Sequence, residues 1–440
     1  MKLHRKVSRL KLPHNKSTAG IASTPVPAPP EVLIPMSMHS GAAAVPIVAV
    51  GDHVLVGQLI AQEGGDISAP VHATVSGTVT SIEKCTLCTG RTVDAIRIKS
   101  DGKMEKDPTI TPPEVHDLDS FLDAVRASGI VGLGGAAFPL WKKLEAVRNY
   151  PVNTVLINGA ECEPYITGDH RTMLENTEQL VKGVEILREY MKASEFVFGI
   201  ENNKQDAIDK LNETFANDPS VKIMALESVY PQGARQVLLY NATGKMVEPG
   251  QRLASLGVIV INVTSLAKMA QYFIDGMPLV ERCVTVDGSA VAKPGNFIAP
   301  IGTSAGYLIE QAGGLSCPAG KIIIGGPMMG RTAATLDEPI VKVTGAVLAF
   351  NEKEAKSMEP TACLRCGRCV ENCPIGLNPP DIARAMEIED ADERLAALEK
   401  ANIRNCLECG CCAYVCPAHR PLIETNRAGL AIAKSASRKR

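Results

Sequence analysis

Residues 363–374 read CLRCGRCVENCP, and residues 406–417 read CLECGCCAYVCP. Both segments follow the pattern C-x2-C-x2-C-x3-C-P, and the chain has 14 cysteines in all. A [4Fe–4S] cluster needs four thiolates, and the x2 spacing lets one short loop supply three of them. Zinc is the main alternative for CxxC pairs, but a zinc site rarely has a third cysteine at x2 and a fourth at x3. The two segments therefore predict two [4Fe–4S] clusters and an electron-transfer function.

The cysteine before each proline is expected to bind the cluster of the other segment, as in two-cluster ferredoxins. The ligands of the first cluster are then Cys363, Cys366, Cys369 and Cys416. Those of the second are Cys406, Cys409, Cys412 and Cys373. Apolar residues at helical intervals between the segments predict a helical connection that folds one motif back onto the other. Cys411 has no place in the pattern, and we expect it to be a small buried residue beside a cluster.

The composition of the chain excludes several classes of protein. The chain has 440 residues, of which 45% are hydrophobic, enough for several packed domains. Its net charge is −2 and no basic region is interleaved with aromatic residues, so we expect no nucleic-acid binding. Cysteines concentrated in cluster motifs, without a secretory signal, favour a reducing cytoplasm. No apolar run reaches the roughly 18 residues of a membrane span, so any membrane association is expected to be peripheral.

Basic residues stand near both ends of the chain. They are expected to be solvated tails, although they would also suit an anionic membrane surface or an acidic partner. They are Lys2, Arg5, Lys6, Arg9, Lys11, Lys16, Lys434, Arg438, Lys439 and Arg440.

The pattern of strands, helices and turns predicts a multidomain protein of the α/β and α+β classes. In chain order, the predicted units are a basic and Pro-rich lead-in (1–30), an N-terminal barrel-sandwich hybrid like a lipoyl domain (31–105), a central α/β domain (115–280), a small α+β module (281–350), a helical two-cluster ferredoxin-like domain (351–425) and a basic tail (426–440). The barrel is expected to be a scaffold, because residues 69–73 lack the lysine that a carrier domain needs.

A glycine-rich loop at residues 129–143 reads GIVGLGGAAFPLWKK. Gly132, Gly134 and Gly135 remove side chains where a backbone must approach a planar or phosphorylated ligand. The Rossmann fingerprint is not satisfied, because a helical segment and not a strand precedes the loop. The loop predicts a ligand site of another kind.

Polar residues follow the next strand, in residues 156–171, which read LINGAECEPYITGDHR. Asn158, Glu161, Glu163 and Asp169 can accept hydrogen bonds from a ribose or a carboxamide, and open α/β sheets bind ligands at the carboxyl ends of their strands. Cys162 in this loop is expected to pack beside the ligand, because no paired base is evident. The separate Cys85 and Cys88 pair is expected to be incidental or structural, with metal binding or a reversible disulfide as alternatives.

These segments carry a family resemblance. The glycine loop resembles the flavin loop of the NADH-oxidising flavoprotein subunit of respiratory complex I, and residues 158–164 resemble the next nucleotide motif of that family. Residues 283–314 look like a soluble-ligand-binding β-grasp module. Together with the barrel and the paired cysteine motifs, they make the whole chain similar to the C subunits of Rnf electron-transport complexes.

The resemblance implies a central FMN/NADH domain and assigns residues to it. FMN would lie on Gly132, Gly134, Gly135, Lys143, Asn158 and Asp169, with Asn262 as a further flavin neighbour. NAD(H) would stack near Glu161 and Glu163. The implied function is that of an NADH/ferredoxin oxidoreductase subunit, which exchanges hydride between NAD(H) and FMN and passes single electrons through both clusters. The implied partners are a ferredoxin-type subunit and the other subunits of an Rnf-type membrane complex, at the cytoplasmic face of the membrane.

The chain departs from the complex I pattern at several positions. Val131 and Leu133 replace arginines, and Ala160 replaces an acidic residue. Arg235 replaces a carboxylate near the adenosine half of the nucleotide, which leaves the choice between NAD and NADP open. Two alternatives remain: a soluble NADH-dependent reductase of a corrinoid-type acceptor, and a wiring or scaffold subunit with a decayed nucleotide site.

Overall fold

The computed structural model describes residues 10–248 and 250–438, with side chains up to residue 436. The basic residues Lys2, Arg5, Lys6, Arg9, Lys439 and Arg440 lie outside the described part. The first described strand, β1 (Ser23–Pro25), joins a sheet far along the chain.

Two antiparallel sheets form the barrel. One holds β2 (Glu31–Pro35), β4 (His53–Val54), β7 (Gly77–Thr86) and β8 (Thr92–Ser100), and the other holds β3 (Val45–Pro46), β5 (Leu59–Gln62) and β6 (Val71–His72). Strand alternation sends every second side chain inward. The cross-strand pairs Val32–Ile98 and Ile34–Ile96 are accordingly buried in the core.

The central domain is an α/β sandwich around a four-stranded sheet. Its elements are α1 (Leu118–Ala127), α2 (Leu140–Leu144), β9 (Thr154–Gly159), α3 (Gly168–Glu175), α4 (Thr177–Met191), β10 (Glu195–Glu201), α5 (Gln205–Thr214), β11 (Val221–Leu226), α6 (Arg235–Thr243), β12 (Val258–Asn262) and α7 (Val263–Asp275). All four strands are parallel, in the order β11–β10–β9–β12. Helix α1 immediately precedes the glycine loop, as the sequence predicted.

The strand order reverses between β9 and β12. The chain first builds outward from β9 to β10 and β11, and then returns to place β12 on the other side of β9. Ligands bind outside the carboxyl ends of the strands at such a switch point. Asn158 on β9 and Asn262 on β12 are direct register partners at that edge.

A six-stranded mixed sheet forms the β-grasp module, in the order β1–β14–β13–β17–β15–β16. Its elements are β13 (Glu281–Asp287), β14 (Gly295–Pro300), α8 (Ala305–Gln311), β15 (Ala319–Ile324), β16 (Arg331–Thr332), β17 (Ala346–Asn351) and the short α9 (Glu352–Ala355). Strand β1 pairs in parallel with β14 and forms one edge of the sheet.

The cysteine motifs lie in a small helical domain. Its helices are α10 (Arg368–Glu371), α11 (Pro379–Met386), α12 (Ala391–Lys400), α13 (Cys411–Tyr414) and α14 (Leu422–Arg438). The predicted helical connection is therefore present as α11 and α12. Residues 426–438, expected as a solvated tail, continue α14 instead, because Leu430 and Ala433 are buried with Ile382 and Leu398 in the core of this domain.

Residues 10–25, expected as part of the lead-in, form a strap across three domains. Leu10 makes a β-bridge with Tyr230, and Leu12 packs with Tyr230 and Cys411. Further along, Asn296 of the β-grasp module donates to two backbone carbonyls of the strap. The Pro-rich segment is therefore tied to the folded domains on both sides.

Candidate functional site

The second cysteine motif and Cys373 line one cavity. This cavity is bordered by Cys406, Cys409 and Cys412, and by Cys373 from the first motif. Burial raises the pKa of Cys412 to about 12, and the thiols of Cys409, Cys406 and Cys373 add to that rise. Four clustered thiols in a buried cavity fit a [4Fe–4S] cluster, whose irons favour the thiolates. Within the described residues, no three His, Cys, Asp or Glu side chains are arranged to hold a single metal ion.

The other four cysteines lie towards the surface. Cys363 and Cys366 are exposed, whereas Cys369 and Cys416 are half-buried. Burial raises the pKa of Cys369, and the nearby thiols of Cys416 and Cys363 contribute. Each group therefore receives its fourth thiol from the other motif, which supports the crossed pairing expected from the spacing.

The two motifs repeat the same backbone conformation. Arg365 and Glu408 occupy equivalent positions between the first two cysteines and have φ values of 52° and 54°. Amides turn towards sulfur at these positions: Arg365 N–H donates to Cys363 Sγ at 3.5 Å, and Glu408 N–H donates to Cys406 Sγ at 3.4 Å. N–H donors to cluster sulfurs help to set the reduction potential.

The flavin-site candidates meet at the switch point of the central sheet. Asn262 Nδ2 donates to Asp169 Oδ2 at 2.7 Å, and Asn262 Oδ1 caps helix α7 by accepting from Ser265 N–H at 3.1 Å. Asn158 Nδ2 donates to the Gly233 carbonyl at 2.9 Å. The structure thus brings Asn158, Asp169 and Asn262 together, although they are far apart in the sequence.

The glycine loop lies beside this edge. A Cβ on Gly134 would stand 3.3 Å from Asn262 Nδ2, so a side chain there would crowd the asparagine. Gly135 has φ +128° and faces open space, because apart from its chain neighbours no described residue comes within 4 Å of where a Cβ would lie. Gly132 N–H donates to the Phe138 carbonyl at 2.8 Å and closes the loop. Bare backbone next to open space provides a cradle for a flat ligand.

Two cations flank the cradle without a carboxylate partner among the described residues. Lys143 Nζ donates to the Val260 carbonyl at 3.0 Å, and burial, followed by repulsion from Arg235, lowers the pKa of Lys143 to about 8. Helix α6 begins at Arg235, and its preceding Ala234 provides no side-chain cap. A helix N-terminus and two unpaired cations favour an anionic group, so the site fits the phosphate of FMN.

Glu161 supports the site by holding the first turn of helix α3. Its carboxylate accepts from Asp169 N–H at 2.8 Å and from His170 N–H at 3.4 Å, in the first turn of α3. Burial raises the pKa of Glu161 to about 7, although the Lys16 ammonium opposes this rise. Glu161 therefore fixes the position of Asp169, whereas the sequence had suggested direct contact with NAD(H).

Glu163 has partners that the sequence did not suggest. Its carboxylate accepts from the backbone amides of Met328 at 3.0 Å and Met329 at 2.9 Å, both in the β-grasp module. Burial raises the pKa of Glu163 to about 7. Expected as a neighbour of NAD(H), this carboxylate joins two domains.

Three residues that the sequence analysis missed support the site. Lys16 on the strap donates to the carbonyls of Glu161 and Glu163, each at 2.8 Å. Buried Arg282 donates to the Leu133 carbonyl of the glycine loop at 3.1 Å, and its Nη1 has no partner among the described residues. Buried Lys342 donates to the Gly129 carbonyl at 2.7 Å. Their partners lie far away in the sequence, so no local pattern could have revealed them.

Further cysteines lie outside the two expected ligand sets, although Cys411 also borders the cavity of the second motif and its side chain hydrogen-bonds with Cys409. Cys411 is fully buried beside Leu12 and Tyr230, in agreement with its expected packing role. Cys162 packs in the same cluster, and its sulfur accepts from Gly233 N–H at 3.4 Å. Cys85 is the next-to-last residue of strand β7, and Cys88 N–H, in the following turn, donates to Glu338 Oε1 at 2.7 Å.

Curated relatives match most of the chain. It is 41% identical over 81% of its length to the C subunit of the Na(+)-translocating ferredoxin:NAD(+) oxidoreductase complex of Acetobacterium woodii, covering 81% of that protein. It is 37% identical over 83% of its length to the C subunit of the proton-translocating complex of Clostridium ljungdahlii, covering 80% of it. The C subunit of the ion-translocating oxidoreductase complex of Yersinia enterocolitica is also 37% identical, over 80% of this chain and 51% of that protein.

The chain belongs to the RnfC family.

Domain families match this RnfC family member in the expected order. Residues 9–103 match the RnfC barrel sandwich hybrid domain, and residues 125–271 match the Nuo51 FMN-binding domain. Residues 283–332 match the SLBB domain, and residues 359–420 match the 4Fe-4S dicluster domain. The predicted fold class, with its barrel, flavin, β-grasp and cluster domains, is confirmed.

Solved structures share the fold of this RnfC family member at low sequence identity. A NAD+-reducing [NiFe]-hydrogenase in the air-oxidised state matches with a TM-score of 0.53 and 19% identity, covering 74% of this chain and 67% of that one. The H2-reduced state matches with a TM-score of 0.50 and 20% identity, covering 72% and 61%. In the part of the chain that the structure describes, no helix is long and apolar enough to cross a membrane.

Proposed function

We propose that this chain is the electron-transfer C subunit of an ion-translocating ferredoxin:NAD oxidoreductase complex. The observation that carries the proposal is the contact between the second-motif thiols and the α/β domain, through Tyr230 and the Cys409 carbonyl, together with the two cations near the switch point of that domain's sheet. When bound, FMN exchanges two electrons with a nicotinamide and single electrons with the clusters. The same two-domain arrangement gives little support to a scaffold with a decayed site.

FMN is proposed to lie on the glycine loop at the carboxyl edge of β9 and β12. Bare backbone at Gly132, Gly134 and Gly135 admits the flat ring, and Lys143 offers a cation to the phosphate. Asn158, Asp169 and Asn262 present oriented polar groups to the same space. Arg235, which replaces an expected carboxylate, supplies the second cation for the anion.

NAD(H) is proposed to stack on the flavin along the loop at residues 161–163. Glu161 shapes that wall by holding the first turn of α3, and Lys16 fixes the loop backbone through its carbonyls. Since the Glu161 carboxylate already has backbone partners, its proposed contribution is to the shape of the nucleotide pocket, whereas the Glu163 carboxylate has its partners in the β-grasp module.

The burial of the thiols supports an order for the clusters. The group of Cys373, Cys406, Cys409 and Cys412 faces the flavin domain, because the Cys409 carbonyl accepts from Tyr230 of that domain. Cys363 and Cys366 are exposed. Electrons are therefore proposed to pass between the flavin and the second-motif cluster, then the first-motif cluster, and then a ferredoxin-type subunit.

The proposed location is the cytoplasmic face of the cell membrane, as a peripheral subunit bound to the other subunits of the complex. The relatives from Acetobacterium woodii and Clostridium ljungdahlii are named as C subunits of translocating complexes, one for Na+ and one for protons. Co-purification with the membrane subunits tests this placement. Recovery of the protein only in the soluble fraction would favour the corrinoid-type reductase alternative.

Anaerobic titration with NADH tests the proposed reaction. The protein is loaded with FMN and both clusters, and flavin absorbance and cluster spectra are followed as NADH is added. Flavin bleaching followed by cluster reduction is expected. Full cofactor loading with no response to NADH or NADPH would contradict the proposed reaction and leave the scaffold alternative.

A further inference from the structure

One tyrosine connects the flavin domain to the second cysteine motif. The Tyr230 hydroxyl donates to the backbone carbonyl of Cys409 at 2.8 Å, and the ring is 1% exposed. Leu12, Cys162 and Cys411 pack around it. A buried hydroxyl therefore makes a specific bond to the backbone of a predicted cluster ligand.

Glu163 makes a second contact at the junction between the flavin domain and the second cysteine motif. Its carboxylate accepts from the amides of Met328 and Met329, and Glu163 Oε1 lies 3.5 Å from the Tyr230 hydroxyl. The β-grasp turn that carries these methionines leaves little room: a Cβ on Gly410 would lie 2.6 Å from the Met328 carbonyl oxygen. The turn is therefore packed directly against the loop between Cys409 and Cys412.

A third contact closes the junction from the cluster domain. Arg427 on α14 donates to the Met329 carbonyl at 2.6 Å and lies 3.5 Å from the Glu408 carboxylate. The turn of the β-grasp module is thus held by Glu163 on one side and by Arg427 on the other. Three domains meet within a few residues of the second-motif thiols.

We propose that Glu163 and Tyr230 are positioning residues that hold the second-motif cluster loop against the flavin domain and thereby set the rate of flavin-to-cluster electron transfer. This inference rests on the proposed function. It gives Glu163 a role in the second half of the reaction, after the nicotinamide has reacted. The physical basis is the cost of leaving a buried donor or acceptor unpaired, which favours one docked arrangement over looser ones.

The first test compares Tyr230→Phe with a matched control, Tyr307→Phe. Both substitutions remove a hydroxyl that donates to a backbone carbonyl, but Tyr307 lies in the β-grasp module and donates to Pro27, which is not part of the second cysteine motif. In rapid mixing with NADH, Tyr230→Phe should leave the flavin bleaching rate unchanged. Cluster reduction should slow roughly fivefold, the factor that corresponds to one net hydrogen bond.

The second test uses Glu163→Gln, with Glu338→Gln as the control. Glu338 is also buried and accepts a backbone amide, from Cys88, but it lies outside the junction. Because a glutamine has only one acceptor oxygen, one of the two methionine amides should lose its partner. Amide hydrogen exchange at residues 328–329 and 409–411 should accelerate only in Glu163→Gln, and cluster reduction should slow without a change in flavin bleaching.

The outcomes separate this inference from the proposed function. Wild-type protein that does not bleach with NADH would overturn the proposed function itself. Wild-type bleaching together with cluster reduction in both junction variants as fast as in their controls would overturn the junction role. A slower flavin bleaching rate in Glu163→Gln, with unchanged amide exchange, would also overturn it, by returning Glu163 to the nicotinamide site.

Discussion

The side-chain amide of Asn262 donates a 2.7 Å hydrogen bond to the carboxylate of Asp169, and so joins strand β12 to the start of helix α3 at the proposed flavin site. Thr264 donates to the other oxygen of the same carboxylate at 2.6 Å. Because the Glu161 carboxylate also accepts from the Asp169 backbone amide, three residues hold the aspartate in place.

Replacing Asn262 with aspartate should disrupt this pair without removing the helix cap. Aspartate keeps an oxygen that can accept from Ser265 N–H, but it puts a carboxylate against the Asp169 carboxylate. Loss of a charge-assisted bond, with added repulsion, should weaken FMN binding roughly tenfold or more. Fluorescence titration of the flavin-free protein with FMN measures the change. Wild-type affinity in the variant would remove Asn262 from the flavin site.

Lys143→Met should distinguish the flavin phosphate from the flavin ring. The ammonium has no carboxylate partner among the described residues, so its proposed partner is the phosphate of FMN. The variant should bind FMN at least roughly tenfold more weakly, while its affinity for riboflavin, which lacks the phosphate, should stay the same. Equal losses for both ligands would place Lys143 against the ring, or would show that the loop has collapsed.

Cys416→Ala and Cys373→Ala should affect different clusters. Since Cys416 lies with the first-motif thiols and Cys373 with the second-motif thiols, each substitution removes one ligand from the cluster of the opposite motif. Electron paramagnetic resonance of the reduced protein should show the exposed cluster altered in Cys416→Ala and the buried cluster altered in Cys373→Ala. The reverse assignment would show that each motif supplies all four of its own ligands.

Lys342 should make the free energy of unfolding vary with pH in the alkaline range. Burial lowers the pKa of Lys342 from 10.5 to about 7. Between these two pH values the unfolded chain binds more protons than the folded one. The free energy of unfolding should therefore rise with pH from about 7 to about 10 through this group. Lys342→Met should flatten that rise in anaerobic thermal unfolding. It should also lower the Tm throughout, because Pro70 and Gly129 lose a donor.

An unchanged slope in Lys342→Met would assign the pH dependence to other groups. Two histidines lie close to the ammonium: burial, followed by repulsion from Lys342, lowers the pKa of His72 to about 3 and that of His39 to about 4. Both therefore stay neutral in the folded state throughout the alkaline window. Their protonation would affect stability only on the acid side, where the unfolded chain again binds more protons.

The sequence could predict what depends on local spacing. The cysteine ligands follow from two short motifs, and the glycine loop and α1 follow from neighbouring residues. The meeting of Asn158 with Asn262 depends on the strand order of the sheet, which no local pattern encodes. The partners of Glu163 are 165 and 166 residues further along the chain, so sequence patterns could assign its carboxylate only a family role.

The basic ends were the least predictable part of the chain. Charge alone suggested solvated tails, but the Lys16 ammonium donates to three backbone carbonyls. Helix α14 buries an apolar face, which a count of its basic residues does not indicate. A sequence does not indicate which backbone carbonyls will accept a side-chain hydrogen bond, because every residue has one. Only the folded backbone shows which of them converge on a lysine.

The strap has a consequence for how the protein is made. Residues 10–12 leave the ribosome long before Cys411 is synthesised, yet they pack against Tyr230 and Cys411. The strap can therefore reach its final place only after the second cysteine motif has been synthesised and folded. A segment that is made early is therefore one of the last to settle.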